Sequence, residues 1–304
     1  MAQTGDPQHP PTGPAVAVVG PGAIGTTVAA ALHEAGRTPA LYGRTPRAHL
    51  ELRDEDGLVA VPGPVRTDPA HAEPAALVLL AVKSTQVAAA APWLAALCAP
   101  GTVVCALQNG VEQETAISPY APGCPVLPSV VWFPAEAQPD GAVRLRGQAR
   151  LTLPDVPAAR VVVDALHGTR CLVDLAADFT SVAWRKLLQN AGAGLMVLAG
   201  RRAGMYARAD IARLTAEYLR ECLRVARAEG AVLGDEVPQE IVDAFRAFPP
   251  DLGTSILADR EAGRPLEWDI RNGVIPRRAR AHGIPTPISD VLVPLLAAAS
   301  DGPG

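Results

Sequence analysis

Ala-Val-Ala-Val-Val-Gly-Pro-Gly-Ala-Ile-Gly, residues 15–25, is the stretch of sequence that decides the fold. An apolar run ends in a GxGxxG pattern, and residues 23–36 then carry apolar side chains at helical spacing. A strand, a glycine turn and a helix in this order are typical of a dinucleotide-binding unit. Gly20 permits the tight turn, Gly22 lets the backbone approach a pyrophosphate, and Gly25 lets the helix pack on the strand. The first turn of the helix then offers amide donors to the phosphates.

Apolar runs and helical patterns continue to alternate through the first half of the chain. The patterns predict strands at 39–42, 76–82 and 102–107 and a helix at 85–97. Strands that alternate with helices form a parallel sheet with helices on both faces. The predicted fold class is therefore α/β, with an N-terminal Rossmann-type parallel-sheet domain.

The second half of the chain has a different character. After strand-like pieces at 126–133, 142–145 and 149–153, helical patterns occur at 178–200, 208–229, 238–247, 268–282 and 289–299. An all-helical C-terminal domain is therefore predicted. We place the boundary near residue 177, which gives a disordered leader at 1–14, a Rossmann domain at 15–177 and a helical domain at 178–300.

Composition excludes several classes of protein. With 49% hydrophobic and 19% charged residues, the 304-residue chain has the profile of a globular protein and not of a disordered one. The net charge of −4 and the lack of a dense basic stretch argue against nucleic acid as the main ligand. The short cluster of Arg277, Arg278 and Arg280 is interpreted as a solvated helix face.

Cysteine, histidine and apolar patterns indicate the cellular setting. The five cysteines form no CxxC pair and no secretory signal is recognisable, which indicates a reducing, cytoplasmic compartment. The uncharged run at 84–111 is interrupted by Pro92 and Pro100, so we predict no membrane span. The six histidines show no ligand-like spacing, and no metal site is predicted.

The end of the second predicted strand indicates which dinucleotide binds. NAD sites place an Asp or Glu there on the ribose 2′-hydroxyl. The sequence instead reads Leu-Tyr-Gly-Arg at 41–44, with no carboxylate before Glu51. Arg44 and Arg47 could each meet a 2′-phosphate through charge-assisted hydrogen bonds, so NADP is favoured over NAD. A solvated loop arginine is the alternative, and it applies more to Arg47 than to Arg44.

Polar residues follow two predicted strands at their carboxyl ends, where ligands of open α/β sheets bind. Lys83 comes directly after 76–82, and Asn109 follows 102–107 closely. Both are candidates to face the cofactor or the substrate. The alternatives are a lysine in water and an Asn-Gly turn, and neither side chain alone decides between them.

The predicted helical domain supplies a candidate proton donor. Lys186 and Asn190 stand four residues apart on one helix and so share a face. Reduction of a carbonyl by a nicotinamide needs a general acid, and partial desolvation lowers the pKa of a lysine. Lys186 is the best candidate, although snorkelling to solvent is the alternative, and Glu267 could counter the pKa shift and orient the ammonium. Ser255 and Asp259 repeat the four-residue spacing but remain ordinary polar residues by this reasoning.

Taken together, these motifs resemble those of the ketopantoate reductase (2-dehydropantoate 2-reductase) family. The resemblance covers residues 15 to about 290 and rests on 20–25, 82–86, 108–110, 184–190, 254–259, 266–269 and 277–284, in the order of the family. It implies a Rossmann domain and a helical domain, with NADPH and a small 2-oxo acid in the cleft between them. The implied reaction is hydride transfer to ketopantoate, with a lysine as general acid, in pantothenate biosynthesis.

The resemblance also implies roles for individual residues. The implied cofactor-binding positions are Gly20, Gly22, Ala23, Ile24, Gly25, Arg44, Lys83, Gln86, Asn109 and Glu267, with Arg44 on the 2′-phosphate. Lys186 matches the general acid of the family, and Glu267 matches the carboxylate paired with that lysine. The implied substrate-binding positions are Asn109, Lys186, Asn190 and Ser255. The uncharged helix at 187–198 is compatible with burial between domains or in a homodimer.

One position departs from the family pattern. Four residues after Asn190 the family usually carries a second substrate-binding asparagine, whereas this chain has Gly194. The missing amide leaves room for a larger substrate than ketopantoate. Trp268 is then either an apolar wall of the site or a core residue. A reductase of another ketone or imine and a non-catalytic NADPH-binding protein are the alternative functions.

Overall fold

The computed structural model describes residues 15–302, and the leader predicted at 1–14 lies outside the described residues. The chain divides into two compact units. The first comprises residues up to Val82, Gln86–Gln108 and Glu114–Leu175, and the second comprises Lys83–Thr85, Asn109–Gln113 and the residues from Ala176 onward. Two short segments that precede residue 177 in sequence therefore belong to the second unit.

The elements of the described chain are short strands followed by longer helices. The strands are β1 (Val16–Val19), β2 (Ala40–Tyr42), β3 (His49–Arg53), β4 (Leu58–Pro62), β5 (Leu77–Leu80), β6 (Val103–Ala106), β7 (Val126–Pro128), β8 (Val130–Val131), β9 (Ala135–Ala137), β10 (Val143–Leu145), β11 (Arg150–Pro154) and β12 (Leu172–Ala176). The helices are α1 (Ala23–Glu34), α2 (Val87–Leu97), α3 (Gln113–Ile117), α4 (Ala159–Leu166), α5 (Phe179–Ala199), α6 (Ala209–Ala228), α7 (Val237–Ala247), α8 (Ser255–Glu261), α9 (Val274–Ala281) and α10 (Pro287–Asp301). A π-helical turn, Asp269–Gly273, leads directly into α9.

A parallel sheet of five strands organises the first unit, in the order β2-β1-β5-β6-β7. Near its centre Val18 of β1 lies opposite Leu41 of β2 and Leu79 of β5. The central strands are continuous apolar runs because both of their faces are buried. Val18 and Leu79 belong to the apolar cluster that includes α1, whereas Val19 and Leu80 belong to the cluster that includes α2. The predicted α/β class with a Rossmann-type parallel sheet is confirmed.

Two smaller sheets were predicted only in part. The strand-like pieces predicted at 126–133, 142–145 and 149–153 correspond to their strands β8, β10 and β11, whereas β3, β4, β9 and β12 were not predicted. One has the order β4-β3-β10-β9, with β3 and β4 in an antiparallel hairpin, and the other has the order β12-β11-β8. In β3, Leu50 and Leu52 are buried, while Glu51 and Arg53 remain partly exposed. Such a half-buried strand alternates apolar and polar residues and lacks the continuous apolar run that marks β1. Helix α4 was not predicted from the sequence either.

The second unit is a set of helices around one apolar core. Its central helix, α5, begins after Asp178, whose carboxylate accepts a hydrogen bond from the Ser181 N–H, and ends at Gly200 in the left-handed conformation. A Cβ on Gly192 would lie 2.9 Å from the ring of Phe245, so α7 packs against the backbone of α5. The helices predicted at 178–200, 208–229, 238–247 and 289–299 agree with α5, α6, α7 and α10. The helix predicted at 268–282 begins with the π-helical turn instead, and α8 was not predicted.

Candidate functional site

The glycine turn after β1 has the geometry that close approach of a phosphate requires. Gly20 has a φ of 84°, and a Cβ there would lie 2.6 Å from Val82 Cγ1. A Cβ on Gly25 would lie 2.6 Å from the carbonyl oxygen of Gly20, so α1 packs directly on the turn. Gly22 differs, because a Cβ there would meet no atom within 4 Å. The space at Gly22 is open to a ligand at the start of α1, whose first amides have no partner within the helix.

The end of β2 lies beside this turn. A Cβ on Gly43 would be 2.9 Å from Pro21 Cδ, and Arg44 follows that contact with an exposed side chain. Arg47 is engaged elsewhere, because its Nη1 donates to the carbonyl of Gly141 over 3.0 Å. The open turn fits the pyrophosphate of a dinucleotide, and an exposed arginine stands at this strand end in place of an acidic residue.

Three further predicted cofactor positions stand at the beginnings of helices. Ala23 and Ile24 form the first turn of α1. Gln86 ends a 3₁₀ turn, Ser84–Gln86, that directly precedes α2. All three side chains are partly buried. These residues would therefore contact a phosphate through their backbone groups.

Two side-chain contacts join the segments that follow β5 and β6 to helices of the second unit. Lys83 Nζ lies 2.6 Å from Asp259 Oδ2 on α8. Asn190 Nδ2 on α5 donates to Asn109 Oδ1 over 3.2 Å. All four residues belong to the second unit. The structure thus brings together residues that the sequence analysis named, although it gave no reason to pair Lys83 with Asp259.

Glu267 has hydrogen-bond partners that the sequence did not predict. The buried carboxylate accepts hydrogen bonds from the N–H and the Oγ of Ser84 over 3.1 and 3.2 Å. Its other oxygen lies 3.7 Å from Arg271 Nη2. Glu267 therefore secures the segment after β5 and lies beside a buried cation.

Lys186 is a partly buried amine on α5, one helical turn before Asn190. Burial, and to a smaller extent the positive charge of Arg271, lower the pKa of Lys186 from the ordinary 10.5 to about 8. An amine with this pKa is protonated at neutral pH and releases its proton more readily than an ordinary lysine does.

Arg271 is the residue of this group that the sequence analysis missed. It lies in the π-helical turn, is only 3% exposed, and its Nη2 donates to Ser255 Oγ over 2.9 Å. Burial lowers the pKa of Arg271, and the carboxylates of Glu267 and Asp259 oppose that shift. In the sequence it is one arginine among several in a predicted helix, and its spacing does not separate it from solvent-facing ones.

Comparison with known families decides the assignment. The family model for "Ketopantoate reductase PanE/ApbA" matches residues 16–158, and the model for its C-terminal part matches residues 178–300. The chain belongs to the ketopantoate reductase family. The resemblance inferred from the motifs is thereby confirmed.

Individual relatives of this ketopantoate reductase family member agree with it over almost the whole chain. It is 59% identical over 292 residues to the 2-dehydropantoate 2-reductase of Mycobacterium tuberculosis (strain H37Rv), covering 95% of this chain and 99% of the relative. It is 35% identical to the 2-dehydropantoate 2-reductase of Caulobacter vibrioides, covering 94% and 99%. The structure of a dimeric ketopantoate reductase from Staphylococcus aureus matches with a TM-score of 0.87 and 26% identity, covering 95% and 100%. The protein is therefore an oxidoreductase, and its family implies a nicotinamide cofactor.

The space beside Gly194, where the chain departs from the family pattern, is filled by a neighbouring asparagine. A Cβ on Gly194 would lie 2.8 Å from Asn272 Nδ2, so no room for a larger substrate is left there. Asn272 is 1% exposed, and its Nδ2 donates to the carbonyl of Ala191 and to Tyr218 Oη, both over 3.0 Å. Trp268 packs against the apolar core of the second unit, which agrees with the second of its two interpretations.

The arginines of α9 are ion-paired more than the sequence suggested. Arg277 and Arg278 lie 2.6 and 3.0 Å from the carboxylate of Glu112, and Arg277 also lies 2.8 Å from Asp269. The interpretation as a solvated helix face therefore holds for Arg280 alone, which is exposed.

Among residues 15–302, no helix combines the length and the apolarity needed to cross a bilayer. Within that range, no group of three or more His, Cys, Asp or Glu side chains is arranged to hold a metal ion. The five cysteines are all free thiols.

Proposed function

We propose that the protein catalyses the NADPH-dependent reduction of 2-dehydropantoate (ketopantoate) to pantoate, a step of pantothenate biosynthesis. The observation that carries the proposal is the partly buried Lys186, with a pKa of about 8, one turn from the hydrogen-bonded amides of Asn190 and Asn109. The 59% identity to the 2-dehydropantoate 2-reductase of Mycobacterium tuberculosis supports the choice of substrate.

In the proposed reaction the cofactor supplies the hydride and the protein supplies the proton. When bound, NADPH supplies a hydride to the carbonyl carbon of the 2-oxo acid. Lys186 donates a proton from Nζ to the carbonyl oxygen, where negative charge develops, and becomes a neutral amine that solvent reprotonates. The hydrogen bond between Asn190 and Asn109 orients both amides, and each keeps hydrogen-bonding capacity for a substrate oxygen.

The proposed cofactor contacts come from several segments of the chain. Gly22 and the first turn of α1 would bind the pyrophosphate, and Arg44 would bind the 2′-phosphate that distinguishes NADPH from NADH. By similarity to the family, Lys83 and Gln86 would contact the cofactor as well. Lys83 is fixed for that task by Asp259, and Glu267 fixes Ser84 beside it.

The experiment that tests this proposal is NADPH oxidation with ketopantoate, followed by absorbance. Lys186→Ala should abolish turnover and still bind NADPH, measured by fluorescence. Arg185→Ala is the matched control, because Arg185 is the neighbouring cation on α5 and pairs with the exposed Glu240 over 2.8 Å. Arg185→Ala should keep wild-type turnover. Turnover by Lys186→Ala close to wild type would contradict the proposed acid.

A homodimer and a cytoplasmic location are part of the proposal. The relative from Staphylococcus aureus is described as dimeric. Free cysteines suit a reducing compartment. Light scattering should give a mass of twice 31.5 kDa, and a mass of 31.5 kDa at working concentration would contradict the dimer.

A further inference from the structure

Arg271 is buried yet uses only part of its hydrogen-bonding capacity. A guanidinium group carries five N–H donors. Nη2 donates to Ser255 Oγ over 2.9 Å, whereas Nε is buried and has no hydrogen-bond partner among residues 15–302. With 3% of the residue exposed, bulk water does not satisfy that donor. A buried donor without an acceptor costs free energy, which a ligand with acceptor oxygens would recover.

The nearest carboxylate pairs with Arg271 by charge and gives its N–H donors no short hydrogen bond. Glu267 lies 3.7 Å from Arg271 Nη2, beyond hydrogen-bonding distance, and one of its oxygens already accepts two hydrogen bonds from Ser84. Lys186 is close enough for its charge and that of Arg271 to repel each other.

The second carboxylate of the cluster is occupied by other cations. Asp259 lies 2.6 Å from Lys83 and 2.8 Å from Arg264. The cluster as a whole holds four cations, Lys83, Lys186, Arg264 and Arg271, against two carboxylates, Asp259 and Glu267. This excess of positive charge favours an anionic ligand.

We propose that Arg271 binds the C1 carboxylate of the 2-oxo acid, with Ser255 as a second donor, an inference that rests on the proposed function. A planar guanidinium matches a carboxylate through two parallel hydrogen bonds. Ser255 Oγ accepts from Arg271 and so keeps its own proton for the carboxylate. Ser255 is exposed, so a ligand can reach it.

This arrangement makes Arg271 a specificity-determining residue. In a 2-oxo acid the carboxylate adjoins the carbonyl group that is reduced. Arg271 then holds the carboxylate while Lys186 protonates the neighbouring oxygen. A ketone without a carboxylate would leave the positive charge uncompensated, so it should be a poor substrate.

The decisive experiment compares ketopantoate with its methyl ester, which lacks the negative charge. Arg271→Met keeps an unbranched side chain and removes the charge and the N–H donors. It should raise KM for the acid by about 100-fold and change KM for the ester by less than about 3-fold. Arg271→Lys keeps the charge and loses the planar fork, so its KM for the acid should fall between wild type and Arg271→Met. Equal losses for acid and ester would overturn the inference, because a merely positional role affects both substrates alike.

A second measurement keeps the inference testable if Arg271→Met fails to fold. Ser255→Ala alters an exposed residue and should weaken binding of oxamate, an unreactive carboxylate, to the NADPH-loaded enzyme by about 5- to 10-fold in calorimetry. Unchanged oxamate affinity in both Ser255→Ala and Arg271→Lys would overturn the carboxylate subsite.

The two proposals fail in different ways. A wild-type enzyme that leaves ketopantoate unreduced but binds oxamate through Arg271 and Ser255 would overturn the proposed function and support the subsite. Ketopantoate reduction that keeps its wild-type KM in Arg271→Met and Ser255→Ala would support the function and overturn the subsite.

Discussion

Lys83 Nζ lies 2.6 Å from Asp259 Oδ2, and the other oxygen of that carboxylate lies 2.8 Å from Arg264 Nε. The side chain of Asp259 is 10% exposed, whereas that of Lys83 is 36% exposed. One buried carboxylate thus holds together the segment after β5, helix α8 and the turn that follows α8. Lys83 and Asp259 stand 176 positions apart in the chain, so no local sequence pattern predicts their contact.

Asp259→Asn should lower the free energy of unfolding by about 1–3 kcal/mol, because Lys83 and Arg264 lose their shared anion, although the exposure of both cations limits the loss. Urea denaturation measures the change. Asp210→Asn is the matched control, since Asp210 pairs with Arg208 over 2.7 Å on the surface. That substitution should leave the free energy of unfolding nearly unchanged. Equally small changes in both variants would contradict the structural role of Asp259.

The pKa of Lys186 sets the expected pH dependence of the reaction. A general acid must be protonated, so kcat/KM should fall about tenfold per pH unit above a pH of about 8. Arg271→Met removes a positive neighbour, which raises the pKa of Lys186 and moves this fall to higher pH. Arg185→Ala should leave it in place. A profile that stays flat up to pH 10 would show that Lys186 is not the acid.

Substitutions at two glycines of the turn should affect different properties, cofactor binding in one case and stability in the other. Gly22→Ala places a methyl group in open space, so the free energy of unfolding should change by about 1 kcal/mol or less. The Kd for NADPH should rise about 10-fold. Gly25→Ala sets a Cβ 2.6 Å from the carbonyl of Gly20 and should cost about 1–3 kcal/mol of stability. Urea denaturation and NADPH fluorescence give the two quantities. Unaltered NADPH affinity in Gly22→Ala would place the pyrophosphate elsewhere.

The two arginines near the end of β2 should differ in their effect on cofactor preference. Arg44→Ala removes an exposed cation, so the Kd for NADPH should rise about 10- to 100-fold while that for NADH stays unchanged. Arg47→Ala breaks a hydrogen bond to the carbonyl of Gly141 and should leave the preference intact. The ratio of kcat/KM for the two cofactors measures the preference. A larger loss of NADPH preference in Arg47→Ala would reverse the assignment.

Elements with a continuous pattern could be predicted from the sequence. Strands β1, β5 and β6 are buried on both faces, and α5, α6 and α7 show helical periodicity over many residues. Each of these elements can therefore be recognised from its own stretch of sequence. Strands β3 and β4 were missed even though Leu50 and Leu52 alternate with polar residues and a turn containing Asp56 and Gly57 follows. That signal predicts a hairpin, but it is weak beside an apolar run.

The candidate site was predictable where neighbouring residues share an element. Lys186 and Asn190 share one face of α5, and spacing alone placed them together. The roles of Arg271 and Asn272 depend on the π-helical turn and on contacts with distant helices. In such a turn, a periodic sequence pattern predicts neither how deeply a residue is buried nor which residues it contacts.

Gly194 and Asn272 should behave as a coupled pair. Gly194→Asn alone sets a Cβ 2.8 Å from Asn272 Nδ2 and should cost about 1–3 kcal/mol of unfolding free energy. Asn272→Ala alone leaves the carbonyl of Ala191 and Tyr218 Oη without their donor and should cost about 2–3 kcal/mol. In the double variant the new side chain has the space that Asn272 gave up, so its loss should be at least about 1 kcal/mol smaller than the sum. A double-mutant cycle by urea denaturation measures this coupling, and additive losses would mean that the two positions do not compete for one space.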